Sequence, residues 1–363
     1  MAASNEIFST LINNAINGTS IDETLLINSV NGSISLKKDI DTILSNTNKS
    51  WAPLKATVSS VVSKIIYPDW DTRNHQRQIG GAYSLRTIDK KQVCPILHKQ
   101  GLYATATEFA LTRSFEKAEP FDFNYSGKIS PSVCKTSFLN IIHTINTDYS
   151  KELLNSILCY ITDWLKKQKA SNDSLKKKEI VCSTNDIKLK TIPQICDKLF
   201  NIGAGASVIP VLVVQTICEL IQPYVWNHVT IKSLKEHTAP DGHTHSYGDI
   251  EGHSLQEPLL AIEVKHKIKI DESIILTFNN KTKGIPLRFI LTSDISVNRL
   301  ECDDIWIGHV GEFAVNMLQH SLIHKKHICY EFALTLRNKI IDYTNLSLNI
   351  KTKCDEILTK YLV

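Results

Sequence analysis

The sequence predicts an α/β fold of the α+β kind, in which a largely helical N-terminal part precedes a core of strands and helices. Apolar residues recur at helical spacing through much of residues 1–200, as at Phe138, Ile141, Ile142 and Ile145. Further along the chain, two apolar strand patterns are followed by a capped helical pattern and a third strand pattern. This order is typical of an α/β core.

The length of 363 residues exceeds one typical core, so two domains are expected. We expect residues 1–200 to form a mainly helical N-terminal region, and residues 201–363 to form the core and C-terminal helices. Trp51-Ala-Pro predicts the start of a helix that continues to Ile66, because proline is favoured in the first helical turn. The basic run from Lys166 to Lys178 contains Ser-Asn-Asp-Ser and indicates an exposed loop.

Charge and cysteine usage place the chain among reduced, cytoplasmic proteins. A net charge of +4 permits a polyanionic partner but does not identify one. The nine cysteines are odd in number and form no C-x-x-C pair, and the first ten residues lack a basic and apolar leader. The most apolar stretch, Val208 to Val214, falls far short of the roughly 18 residues that a membrane span needs. We therefore expect no membrane association.

The most informative segment is YGDIEGHSLQEPLLAIEVK, which ends at Lys265. Asp249 lies at the start of one strand pattern, and Glu263-x-Lys265 follows 14 residues later on a second, apolar strand. Side chains of a strand alternate between its two faces, so Glu263 and Lys265 share one face while the apolar residues around them point to the other. Ionised groups on a buried strand are unfavourable unless they are paired or bind an ion.

These residue types suit the hydrolysis of phosphodiester bonds with a metal ion. Asp249 and Glu263 would offer oxygen ligands to Mg²⁺, for which Mn²⁺ can substitute, and Lys265 would lie beside the attacking water. Glu219, on a predicted helix upstream, is a candidate for a further carboxylate ligand. The simpler alternative is a hairpin in which Glu263 and Lys265 form a structural ion pair, with Glu219 at the surface.

Two alternatives remain for this site: one concerns which aspartate precedes Glu263 as a metal ligand, and the other concerns which metal ion binds. Asp241 competes with Asp249, but its Pro-Asp-Gly turn and its greater distance from Glu263 favour Asp249. Zinc is the rival cofactor, because His243-Thr-His245 resembles half of a transition-metal site. No H-E-x-x-H helix or paired cysteine motif completes such a site, so the sequence favours Mg²⁺.

Residues 67–130 are rich in polar and aromatic residues, and we expect them to contact DNA. Arginine, asparagine, glutamine and histidine side chains hydrogen-bond base edges and phosphates. Gly80-Gly81 would let the backbone approach a ligand closely. The alternative is a solvated polar loop, since such clusters are common. The candidate DNA-binding residues are Arg73, Asn74, His75, Gln76, Arg77, Gln78, Arg86, Arg113, Lys128 and His245.

Several stretches, taken as a set, resemble a known family. They are TRNHQRQIGGAYSLRTID, GLYATATEFALTRSFEKAEPFDFNYSGKISP, the Gly-Ala-Ser-x-x-Pro-Val-Leu helix, and HTHSYGDIEG with AIEVKHKIKID. Over about Tyr67 to Ser293 the chain resembles type II restriction endonucleases with the PD-(D/E)XK nuclease fold, of the SacI-type group. By motif position, Asp249 is the first acid, Glu263 the second and Lys265 the lysine. The first acid follows glycine rather than proline, which leaves the Asp241 alternative open.

The resemblance implies a PD-(D/E)XK core, which is a mixed central sheet flanked by helices. It also implies Mg²⁺-dependent cleavage of double-stranded DNA that leaves 5′-phosphate ends, a homodimer on a palindromic site, and a cognate DNA methyltransferase encoded nearby. Two other functions stay open. One is a DNA repair or junction-resolving nuclease of the same fold, and the other is a non-catalytic DNA-binding module.

Overall fold

The computed structural model of the chain contains two compact units, Met1–Ser174 and Leu175–Val363, here called the N-terminal and C-terminal units. The structure describes residues 2–18, 23–28, 30–31, 34–47, 49–79, 83–102, 115, 117–148, 150–178, 180, 187–232, 246–255, 257–294, 300–302, 304–343 and 346–363.

The N-terminal unit consists mainly of helices, as the sequence predicts. Proline in the first turn starts the helix predicted after Trp51. A π-helical segment, Asp89–Val93, separates α5 from α6. The elements are α1 (Ala2–Asn17), α2 (Glu23–Asn28), β1 (Val30–Asn31), β2 (Ile34–Ser35), α3 (Leu36–Ser45), α4 (Ala52–Ile66), α5 (Leu85–Ile88), α6 (Cys94–Lys99), α7 (Ser132–Thr147) and α8 (Lys151–Lys177).

The prediction that the basic run from Lys166 to Lys178 forms a loop is wrong. These residues continue the 27-residue helix α8, whose last three residues belong to the C-terminal unit. Lysine, glutamine and alanine are good helix formers, and their propensity outweighs the turn preference of Ser-Asn-Asp-Ser. The buried residues of α8 lie between Leu153 and Leu165, so the basic half of the helix is largely solvated.

As far as its residues are described, the C-terminal unit is built around a six-stranded mixed sheet. Helix α9 belongs to this unit, whereas the division expected at residue 200 assigned it to the N-terminal region. The elements are α9 (Ile192–Phe200), α10 (Ile209–Val225), β3 (Thr230–Ile231), β4 (Ile250–Ser254), β5 (Glu257–Lys265), α11 (Glu272–Lys281), β6 (Leu287–Thr292), β7 (Leu300–Cys302), β8 (Ile305–His309), α12 (Val310–Ser321), α13 (Ile328–Asp342) and α14 (Leu348–Leu362).

The sheet order is β3-β4-β5-β6-β8-β7 in the described residues. Strands β4 and β5 form an antiparallel hairpin, whereas β5, β6 and β8 run parallel. Helix α11 connects β5 to β6, and the side chain of its N-cap residue Asp271 accepts a hydrogen bond from the Ile274 amide. Parallel neighbours require such a crossover connection. The predicted mixed α/β fold is confirmed at this level.

The two faces of the sheet are covered by different helices. Leu260, Ile262 and Val264 of β5 pack into a large apolar core that includes residues of α9, α10, α12 and α13. Ala261, on the opposite face, packs in a smaller cluster with Phe278 of α11. The period-2 alternation predicted for β5 is therefore confirmed, and Glu263 lies on the face covered by α11.

Helix α10 carries the most apolar sequence of the chain and packs against β4 and β5. It is 17 residues long and includes Gln215 and Glu219. Among the described residues, no helix combines the length and apolar character needed to cross a membrane.

A buried ion pair joins the last two helices of the C-terminal unit. Arg337 Nε of α13 donates to Asp355 Oδ1 of α14 at 2.5 Å, and their side chains are 3% and 2% exposed. Arg337 also donates to the Leu175 carbonyl oxygen, and Lys178 donates to the second oxygen of Asp355. These hydrogen bonds satisfy charges that would otherwise be unfavourable in the core.

Replacing Arg337 by alanine should lower the free energy of unfolding of the C-terminal unit by about 3–5 kcal/mol, because a buried carboxylate would lose its main partner. Lys176→Ala is the matched control, since it removes an exposed ion pair with Asp342 in the same unit, and such pairs contribute about 0.2–1 kcal/mol. Chemical denaturation of the full chain, followed by circular dichroism, measures both. Equal losses in the two variants would contradict the assigned role of the buried pair.

Candidate active site

Pairing of β4 with β5 places Asp249 beside the Glu-x-Lys motif. In the antiparallel register Ile250 lies opposite Ile262, and Asp249 Oδ2 accepts a hydrogen bond from the Val264 amide at 2.7 Å. The chains approach so closely that a Cβ on Gly248 would lie 2.6 Å from the Ile262 carbonyl oxygen. Glycine before the acid is therefore a steric requirement of this hairpin.

Glu263 and Lys265 lie on the same face of β5 and contact one another. Lys265 Nζ donates to Glu263 Oε1 at 2.5 Å. Their side chains are 28% exposed for Lys265 and 19% exposed for Glu263, so both groups remain accessible from solvent. The structural ion pair considered as the simpler alternative is thus present, and it lies next to Asp249.

The electrostatics show that the two carboxylates are close. Burial, and next the negative charge of Glu263, raise the pKa of Asp249 to about 6. The hydrogen bond from Val264 and the positive charges of Lys265 and Lys281 act in the opposite direction on this pKa. Lys281 is exposed on α11, the helix that covers this face of the sheet. The site therefore combines two repelling carboxylates with two cations.

The donor set is compatible with a hard, oxygen-ligated cation. Asp249 Oδ1 accepts no hydrogen bond from the residues that the structure describes, and Glu263 is partly exposed. Within the same residues, no group of three or more His, Cys, Asp or Glu side chains could hold a metal ion. Mg²⁺ commonly binds one or two carboxylates and completes its shell with water and phosphate oxygens, so two protein ligands suffice. Asp241, His243 and His245, which carried the alternatives, lie outside the described residues.

Glu219 is not brought to this site. Its Oε1 accepts from Gln215 of the same helix at 2.7 Å, and its Oε2 accepts from Lys339 of α13 at 2.5 Å. Helix α10 packs on the face of the sheet formed by Leu260 and Ile262, opposite the face that carries Glu263. The geometry therefore favours an interhelical ion pair for Glu219.

Glu251 is a charged residue near the site that the sequence did not mark as a candidate. Glu251 shares the strand parity of Asp249, and this period-2 relation could have identified it. Burial raises the pKa of Glu251, but hydrogen bonds from Lys232, the Tyr247 amide and His253 outweigh this effect and lower the pKa to about 2.

In the N-terminal unit, three candidate DNA-binding side chains form internal contacts. Arg73 makes a bidentate ion pair with Asp71, with its shortest bond at 2.7 Å. His75 is 3% exposed and stacks on Phe121 with ring centroids 3.6 Å apart, and burial lowers its pKa to about 4. Gln76 donates to the carbonyl oxygens of Phe115 and Lys117. These contacts stabilise the segment itself.

The other candidates are more exposed. Arg77, Gln78 and Arg86 are exposed and line a cleft of about 290 Å³, whose wall includes the apolar side chains of Leu85 and Phe115. Within the described residues, neither arginine forms an ion pair. Outside the cleft lining, Lys128 is exposed and Asn74 is partly buried, whereas Arg113, His245 and the Gly80-Gly81 pair lie outside the described residues.

Comparison of the sequence with known proteins finds no matching family model and no similar curated protein. The function is therefore inferred from the geometry and charges described above.

Replacing Asp249 by asparagine should raise the melting temperature at pH 7.5 and leave it unchanged near pH 3. The pKa of Asp249 is about 6 in the folded chain and about 3.9 when unfolded, so the folded state binds the extra proton. The stability contributed by that proton is complete below pH 4 and is lost as the pH rises through about 6. A neutral asparagine avoids this loss.

Thermal unfolding across this pH range measures the difference. Thr277→Ala, an exposed change on α11 that removes no titrating group, is the control and should show no such dependence on pH. A D249N protein that melts below wild type at pH 7.5 would contradict the raised pKa of Asp249, which burial and the charge of Glu263 cause.

Proposed function

We propose that this protein is a type II restriction endonuclease, which hydrolyses phosphodiester bonds of double-stranded DNA with Mg²⁺ and leaves 5′-phosphate ends. The single observation that carries the proposal is the convergence of Asp249, Glu263 and Lys265 at one end of the β4–β5 hairpin. Two carboxylates can hold a divalent cation, and an adjacent lysine can stabilise the negative charge that develops at a reacting phosphate.

In this proposal, Asp249 and Glu263 hold Mg²⁺, for which Mn²⁺ can substitute. The bound ion would lower the pKa of a coordinated water and neutralise charge on the scissile phosphate. Lys265 donates a hydrogen bond to Glu263, and it would stabilise the negative charge that develops at the phosphate. Lys281 would add a second positive charge on the same face of the sheet.

The electrostatics of the carboxylate pair support cation binding. Asp249 and Glu263 repel one another, and this repulsion contributes to the raised pKa of Asp249. A divalent cation between them would replace repulsion by attraction and favour the ionised form of both groups. An ordinary surface ion pair would need neither the second carboxylate nor the tight Gly248 turn.

DNA recognition is assigned, in the same proposal, to the N-terminal unit. Arg77, Gln78 and Arg86 carry the exposed polar groups of the cleft, and arginine pairs in a bidentate manner with guanine or with phosphate. The resemblance to restriction endonucleases further suggests a cytoplasmic homodimer acting on a palindromic site, with a cognate DNA methyltransferase that protects the host genome.

Lys265→Ala should reduce Mg²⁺-dependent cleavage of plasmid DNA by at least about 10²-fold, because a cation at the reacting phosphate is lost. DNA binding in Ca²⁺ should change by less than about twofold. Lys269→Ala, an exposed lysine beyond the strand, is the matched control and should cut normally. Mapping the fragment ends of wild-type digests identifies the cut site. Unchanged cleavage by K265A would remove the catalytic assignment.

The products separate the competing functions. Discrete fragments with 5′-phosphate ends support a restriction endonuclease. Cutting that depends on DNA damage or on branched junctions would instead indicate a repair or junction-resolving enzyme. Binding without cutting in Mg²⁺ or Mn²⁺ would indicate a non-catalytic module.

Arg77→Ala and Arg86→Ala should each weaken binding to the cleaved sequence by about 1–3 kcal/mol, with little change on random duplexes, if these arginines read bases. Lys91→Ala, an exposed cation on the neighbouring π-helical segment, is the control. Gel-shift titrations in Ca²⁺ measure all three variants. Equal losses on specific and random DNA would assign the arginines to phosphate contacts, and no loss on either would exclude the cleft as a DNA contact.

A further inference from the structure

A third carboxylate, Glu251, lies on the same face of the hairpin as Asp249 and Glu263. In the register of β4 with β5 it lies opposite Ala261, the residue two positions before Glu263. Its side chain is 1% exposed. A fully buried carboxylate requires several donors, and the identity of those donors indicates what the residue does.

Donors from three directions occupy both oxygens of Glu251. The Tyr247 amide donates to Oε1 at 2.6 Å. Lys232 Nζ donates to Oε2 at 2.8 Å, and His253 Nε2 donates to the same oxygen at 3.1 Å. Because a carboxylate offers about four acceptor positions, little capacity is left for a metal ion.

The bond to Tyr247 matters because it lies two residues before Asp249. The turn of residues 246–248 is held by Glu251 at Tyr247, by the Ser246 hydroxyl on the Gly248 carbonyl oxygen at 2.9 Å, and by close packing of Gly248 on β5. Asp249 is then fixed by its own bond to the Val264 amide. The backbone that precedes Asp249 and the Asp249 side chain are therefore both anchored.

We propose that Glu251 is a positioning residue, which fixes the 246–248 turn so that Asp249 is presented to Glu263 and Lys265. This inference rests on the proposed nuclease function for its consequence in cleavage. Its structural part, that Glu251 holds the Tyr247 amide, is independent of the reaction. Glu251 also ties β3 to β4, since Lys232 donates its backbone amide to the Glu251 carbonyl oxygen at 2.9 Å.

Two variants separate positioning from general stabilisation. Glu251→Ala removes the acceptor of the Tyr247 amide, whereas Lys232→Met removes one partner of Glu251 and leaves that acceptor in place. Hydrogen exchange of the 246–250 peptide should be at least tenfold faster in E251A than in wild type, and should change less than about threefold in K232M. Thermal unfolding of both variants gives the loss of stability that each change causes.

Function is measured with Mn²⁺ as the probe. Electron paramagnetic resonance titration should show Mn²⁺ binding about tenfold weaker in E251A, and the rate constant of cleavage should fall at least tenfold while DNA affinity in Ca²⁺ stays within about twofold. K232M should retain metal affinity and cleavage. Glu251→Gln keeps one carbonyl oxygen for the Tyr247 amide and should recover part of the metal affinity.

The outcomes distinguish this inference from the proposed function. If wild type neither binds Mn²⁺ nor cuts, the nuclease proposal fails, and the exchange experiment still decides whether Glu251 holds the turn. If wild type binds and cuts, equal losses in E251A and K232M at equal loss of melting temperature would overturn the positioning role. Unchanged exchange at residues 246–250 in E251A would also overturn it.

Discussion

The candidate site depends on one constraint, the register in which β4 pairs with β5. That register brings the Val264 amide to Asp249 and sets the Ile262 carbonyl oxygen so close to residue 248 that only glycine fits. A slip of one residue would turn Glu263 to the face packed by α9, α10 and α12, where an ionised carboxylate could not be accommodated. The apolar residues of β5 thus fix the position of its charged ones.

Two acids on the same strand face illustrate how surroundings assign different roles to similar groups. Burial, and next the neighbouring carboxylate of Glu263, raise the pKa of Asp249, and its one strong donor leaves the other oxygen open to a ligand. Glu251 has several donors, its pKa is lowered, and both of its oxygens are engaged. The number and direction of donors, rather than residue type, separate an acid suited to bind a cation from one suited to hold a turn.

The N-terminal unit shows a similar division within one polar segment. Arg73, His75 and Gln76 bond to neighbouring groups of the unit and stabilise the surface. Arg77 and Arg86, close in sequence, line a cleft with exposed guanidinium groups. Composition alone could not separate the residues that stabilise the segment from those that line the cleft, because both sets contain side chains suited to DNA contact. The hydrogen-bond partners of the first group lie up to 44 residues away in sequence, as the Glu119 carbonyl oxygen does from His75.

The sequence by itself determined the local pattern: the helical N-terminal part, the strand carrying Glu263 and Lys265, the α11 crossover and the absence of a membrane-spanning helix among the described residues. Periodicity and capping are local properties, so the sequence contains them directly. Only the tertiary structure decided that Glu219 pairs with Lys339 instead of joining Asp249, and that Glu251 anchors Tyr247. These outcomes depend on strand register and on which helix covers which face of the sheet. Both are set by packing between residues distant in sequence.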